Sequence, residues 1–113
     1  MSGITTHVLD VSLGRPAAGV PVILESLADG KWAPNGAATT DADGRAPEIG
    51  SSDAALQCGM YRLRFAVAGY FRAHGVAGFY PEITITFEVR DPTERYHVPL
   101  LLSPWGYTTY RGS

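Results

Sequence analysis

Apolar and polar residues alternate along most of this chain, and the alternating runs are short. Ile4 to Val11 reads as a first strand, with Thr6 and Val8 on one face and His7, Leu9 and Val11 on the other. G-R-P-A-A-G turns the chain into a second strand, Val20 to Leu27, whose Pro21 stands near the start, where a missing N–H is tolerated. A-D-G-K is a hairpin-type turn leading to a strand through Trp32. T-T-D-A-D-G-R is a second turn and sets Arg45 just past Gly44, where another strand begins. A loop with Pro47, Gly50 and two serines follows. Met60 to Ala68 is the clearest strand: Tyr61, Leu63, Phe65 and Val67 share one face, Arg62 and Arg64 the other. Residues 69–78 are bounded by glycines and have room for about two helical turns at most. Pro81 opens a further strand through Val89, with Ile83, Ile85 and Phe87 inward, and R-D-P-T turns into the final segment.

That final segment, Tyr96 to Ser113, reads as strand, tight turn and strand, with Pro104 and Gly106 marking the turn. Its first arm is apolar on both sides: Val98, Leu100 and Leu102 on one face, His97, Pro99 and Leu101 on the other. A two-sheet sandwich covers only one face of each sheet, so the second face needs another cover, and a partner subunit is the simplest. Short strands with turns every 8–12 residues argue for an all-β sandwich. There is no internal repeat, low-complexity segment or linker.

Composition narrows this picture without redirecting it. At 113 residues the chain is one domain, 1–113, long enough to bury roughly two-thirds of its unfolded surface without staples. Its net charge is −2 and its nine basic residues are scattered, which argues against nucleic acid. The single Cys58 forms no internal disulfide, which permits a reducing compartment. M-S-G-I-T-T-H lacks the basic and apolar regions of a secretory signal, and no apolar run approaches the ~20 residues of a membrane span. The simplest address is the cytoplasm.

Among the titratable residues, His7 and His97 lie on strand faces, each on the face that needs a partner. Singly, each reads first as a packed or surface histidine; together they offer two rings that titrate near neutral pH. His74, in the glycine-rich segment, reads as structural or exposed. Arg45 is either a turn-flanking surface charge or an anion ligand, and Arg111 either a solvated tail charge or an anion clamp. No C-x-x-C or H-x-x-x-H spacing marks a metal site, and nothing local marks Cys58 as a nucleophile. The G-x-S-x-G, G-x-G-x-x-G and P-loop patterns are missing.

Several of these stretches, taken together and in order, resemble one family. T-T-H-V-L-D, G-R-P-A-A-G-V-P-V, T-D-A-D-G-R, F-Y-P-E-I, Y-H-V-P-L-L-L-S-P and the closing Y-R-G-S are similar to the 5-hydroxyisourate hydrolases, the transthyretin-related enzymes of urate breakdown. Transthyretin, the carrier, is similar through L-L-S-P but lacks the closing tetrapeptide. The resemblance implies a transthyretin-like two-sheet β-sandwich, two four-stranded sheets with one short helix, assembled as a homotetramer, a dimer of dimers. Its active sites would lie in a channel between dimers.

The resemblance also implies a reaction: 5-hydroxyisourate is hydrolysed to 2-oxo-4-hydroxy-4-carboxy-5-ureidoimidazoline, with no metal or organic cofactor. Water must be activated, the planar ring held and oxyanion charge stabilised. His7 and His97 are the implied water-activating pair, and which is the base stays open. Arg45 would polarise the carbonyl through its planar fork. Ser113, with its hydroxyl and terminal carboxylate, would orient a histidine or the water. Arg111 and Gly112 would place the tail, Gly112 by allowing a sharp bend, and Tyr110 would wall the channel. The competing readings are a transthyretin-like carrier of a small planar ligand and a structural adhesion domain. Neither calls for paired histidines, an arginine and this tail on one face.

Overall fold

The computed structural model describes residues 3–46, 49 and 56–113. Ten strand segments among them form two sheets. The first contains β1 (Gly3–Asp10), β2 (Arg15–Pro16), β5 (Arg45–Ala46), β8 (Arg95–His97), β9 (Leu100–Ser103) and β10 (Gly106–Thr109). The second runs β4 (Lys31–Thr39), β3 (Pro21–Ala28), β6 (Gly59–Ala66), β7 (Glu82–Val89). One short helix, α1 (Ala68–Ala73), follows β6. The expected loop around Pro47, Gly50 and the serines lies largely outside the described residues.

The six segments of the first sheet occupy four strand positions. On one side of β1 lie the two-residue pieces β2 and β5, both antiparallel to it. On its other side β8 and β9 run parallel, as two pieces of the arm expected to be one strand. The arm is interrupted at Val98–Pro99, where the Val98 amide still donates to the Thr5 carbonyl of β1 and Pro99, which has no N–H, turns its carbonyl outward to Thr109. The register is nonetheless continuous across the gap, with Thr5 opposite His97 and Val8 opposite Leu100. Side chains fill in: the Thr6 hydroxyl donates to the Val98 carbonyl at 2.6 Å, and that of Thr109 to the Pro99 carbonyl at 2.8 Å. β10 then pairs with β9 to complete the hairpin.

The core lies between the sheets and follows the alternation in the sequence. Ile4, Val8, Leu100 and Leu102 from the first sheet meet Val22, Leu24, Leu63, Phe65 and Ile83 from the second, all buried. Each such side chain contributes about 1.5–3 kcal/mol. The β3–β4 hairpin turns on Asp29 and Gly30, both at positive φ (53° and 75°), as A-D-G-K leads one to expect. The helix is anchored by Tyr70, whose hydroxyl donates to a carboxylate oxygen of buried Asp10 at 2.7 Å. The other Asp10 oxygen accepts from the Ser12 hydroxyl and from the Ser12 and Leu13 amides. No helix among the described residues is long and apolar enough to cross a membrane.

Candidate active site

With the core on one side, the other face of the first sheet carries the odd-numbered residues of β1. Thr5 and His7 stand there, about 7 Å apart along the strand. Across β1 on one side, Thr5 faces His97 of β8; on the other, His7 faces Arg45 of β5. Paired residues share a face, so His7, Arg45 and His97 come together, with Cα atoms of diagonal neighbours roughly 7–8 Å apart. Leu9 and Leu101, also paired, extend this face with half-buried apolar surface.

The turn before β5 fixes Arg45. Asp41 accepts from the amides of Asp43 and Arg45 through one carboxylate oxygen, and its own carbonyl accepts from Gly44. Gly44, at φ 76°, presses against β1, its carbonyl taking the Val8 amide at 2.7 Å. A side chain at Gly44 would collide with the Val8 carbonyl, so glycine is required there twice over. The same turn holds His7: its Nε2 lies 2.8 Å from the Asp43 carbonyl. A carbonyl only accepts, so Nε2 carries the hydrogen and donates.

His97 is held on two edges. Its Nδ1 lies 2.7 Å from the Thr5 hydroxyl. The opposite edge rests against Gly112, where a Cβ would come within 2.5 Å of Cδ2. The Gly112 amide donates to the His97 carbonyl at 2.8 Å, an isolated antiparallel bridge that lays the tail along β8. Partial burial pushes the His97 imidazole below its ordinary value, and the neighbouring His7 and Arg45 push the same way, so the ring is kept neutral.

The tail residues divide. Gly112 sits on His97, but its backbone is not in the positive-φ region; glycine is needed there for close approach rather than for a bend. Ser113, exposed, follows beside it. Arg111 turns away from the histidines: it pairs with Glu94 at 2.9 Å and lies over the Tyr96 ring at 4.6 Å. Tyr110 is exposed. His74 packs on Tyr70, its Nδ1 donating to that residue's carbonyl at 2.8 Å, and exposed Cys58 lies against the Arg90 carbonyl.

Thr5, the Asp43 carbonyl and the Glu94–Tyr96 anchor have no role in the sequence reading. Thr5 precedes His7 by two residues and so shares its face, a usable signal. Its contact with His97 depends on a parallel pairing that no local pattern announces.

A family model described as HIUase/Transthyretin family matches residues 4–112. The 5-hydroxyisourate hydrolase of Caulobacter vibrioides is 46% identical, with all of both chains covered. Among solved structures, a Klebsiella pneumoniae 5-hydroxyisourate hydrolase superposes with a TM-score of 0.86 at 34% identity, again over all of both chains. Sea bream transthyretin, solved in complex with thyroxine, gives 0.88 at 28% identity, covering 96% of this chain and 93% of that one. By its sequence and its fold, this chain belongs to the HIUase/transthyretin family.

Proposed function

We propose that this protein hydrolyses 5-hydroxyisourate, opening the ring to 2-oxo-4-hydroxy-4-carboxy-5-ureidoimidazoline in urate breakdown. The observation that carries the reading is the meeting of His7, Arg45 and His97 on one sheet face, with the tail pinned beside His97 at Gly112. The 5-hydroxyisourate hydrolases to which the chain is similar supply the substrate.

Water attacks a ring carbonyl and gives its proton to a histidine. The carbonyl oxygen takes up negative charge, the adjacent C–N bond breaks, and the proton passes to the departing nitrogen. One water is consumed, and no metal or organic cofactor is called for. His97 suits the base: it is kept neutral, and its ring-tip nitrogen, Nε2, has no protein partner among the described residues. The ring tip of His7 is already committed to the Asp43 carbonyl, leaving Nδ1 to accept from the substrate. Arg45 stabilises the oxyanion. Ser113 orients the water, Tyr110 walls the site, and Arg111 places the tail through Glu94 and Tyr96.

Leu9 and Leu101 on the same face support a homotetramer, a dimer of dimers in which this face lines a channel between dimers. Residues 1–113 act as one domain, and an unpaired Cys58 suits the cytoplasm. A carrier of the transthyretin type shares the fold but has no use for a neutral histidine beside an arginine. The test generates 5-hydroxyisourate from urate in situ and follows its decay spectroscopically. Decay no faster with the protein than without it refutes the reading.

A further inference from the structure

We propose that Thr5 is a positioning residue of the site: its hydroxyl accepts a hydrogen bond from Nδ1–H of His97, fixing the tautomer whose Nε2 lone pair faces the substrate. The inference rests on the hydrolase reading for its consequence, but its geometry stands apart from it. Thr5 and His97 are direct cross-strand partners, and Thr5 Oγ1 lies 2.7 Å from Nδ1. The Thr5 backbone is fixed by the same pairing, since its carbonyl takes the Val98 amide at 2.9 Å. On the opposite edge the tail passes so near that a Cβ added at Gly112 would stand 2.5 Å from Cδ2, which leaves the ring little room on that side. Thr5 and Gly112 therefore grip the imidazole by its two inner edges, and Nε2 has no hydrogen-bond partner among the described residues.

A neutral imidazole carries one hydrogen, and the nitrogen that bears it decides what the ring can do. A hydroxyl can donate or accept, so distance alone leaves both tautomers open. The hydrolase reading sets the direction. His7 has its ring tip tied to the Asp43 carbonyl as a donor, so the free ring tip on this face belongs to His97. If Thr5 donated to Nδ1, the His97 ring tip would be an N–H, and neither histidine would present a basic ring-tip nitrogen. With Thr5 accepting, Nε2 is the lone pair, and the hydroxyl also stabilises the imidazolium that forms as water loses its proton.

The test compares the intact protein with Thr5→Val, which keeps the β-branched shape and removes the hydroxyl, and with Thr5→Ser, which restores it. Ring-nitrogen NMR should find the hydrogen of His97 on Nδ1 in the intact protein and that preference lost in Thr5→Val. Against 5-hydroxyisourate, Thr5→Val should lower kcat roughly 10- to 100-fold, the scale of one hydrogen bond to a group that becomes charged. Because the hydroxyl faces His97, KM should change much less, and Thr5→Ser should recover most of the rate. An Nε2–H tautomer in the intact protein, or a Thr5→Val variant with undiminished kcat, overturns the proposal. If the intact protein shows no hydrolysis, the functional reading fails, and the NMR comparison alone decides the role of Thr5.

Discussion

Replacing Gly112 by alanine places one methyl group against the candidate base, and its effect can be worked from the contact. The new Cβ would stand 2.5 Å from His97 Cδ2 and 3.2 Å from Cγ. Carbon atoms rest about 3.5–4.0 Å apart, so the contact must open by about 1 Å or more. His97 is the firmer partner, because β8 pairs with β1 and Thr5 holds the far edge of the ring. The tail is the looser one. The Gly112 amide bond to the His97 carbonyl is worth about 0.5–1.5 kcal/mol, and the half-exposed Arg111–Glu94 pair is of a kind that stabilises little. The tail should therefore lift while the sandwich stays intact. Stability should fall by about 1 kcal/mol, a Tm change of a few degrees. Turnover should fall roughly 10²-fold, since a displacement of about 1 Å at a reacting centre costs that much. Decay of 5-hydroxyisourate and a thermal melt, run on the same samples, separate the two effects. Full turnover at an unchanged Tm would refute the contact as a determinant of the site, and wholesale unfolding would refute the looseness of the tail.

The other perturbations follow from the same geometry. Deleting Tyr110 to Ser113 removes exposed or half-exposed residues, so folding and assembly should persist while turnover falls by roughly 10²-fold; a folded, fully active truncation would take the tail out of the mechanism. Because His97 titrates below its ordinary value of 6.5, the rate should hold down to about that pH and fall on the acid side with an apparent pKa below 6.5. The same shift means the folded state binds fewer protons than the unfolded chain, so stability from neutral His97 is present above 6.5 and lost as pH drops through the folded value. A flat rate profile from pH 5 to 8, with chemistry rate-limiting, excludes a histidine base. Leu101→Glu puts a charge on the face assigned to the inter-dimer channel and should weaken the tetramer, which light scattering at micromolar concentration would show; an intact chain already monomeric there defeats the assembly reading.

What the sequence made legible was mostly local. Alternation located β1, β3, β6 and β7 because each buries one face, and A-D-G-K and T-D-A-D-G-R announced their turns through residues that tolerate those backbone angles. His7, Arg45 and His97 were legible as candidates through motif resemblance and residue chemistry. Their meeting was implied by the resemblance alone: no local pattern announces that β1 pairs with β5 on one side and, across 92 residues, with β8 on the other. Three finer points also escaped. The last arm breaks in two at Val98–Pro99. Arg111 leaves the site for Glu94 and Tyr96, an attraction invisible without the turn between β7 and β8. Gly112 is small for want of space beside His97, and a glycine's reason for being glycine cannot be read from its letter.

The parallel contact between β1 and the β8–β9 arm also sets an order of events in the cell. The Thr5–His97 and Thr6–Val98 bonds each span 92 residues. At about 5–20 residues per second, a ribosome needs roughly 5–20 s to cover that distance. For that interval one edge of β1 has only water, or another nascent chain, to bond with, and an open strand edge is a template for misassociation. The second sheet does not wait, because its neighbours are joined by closer connections and β3 meets β4 through a tight turn. Such distant pairings slow folding. Docking of the β8–β9 arm on β1, which brings His97 beside His7, thus comes late, and holding the emerging chain apart from its copies until then should govern its yield.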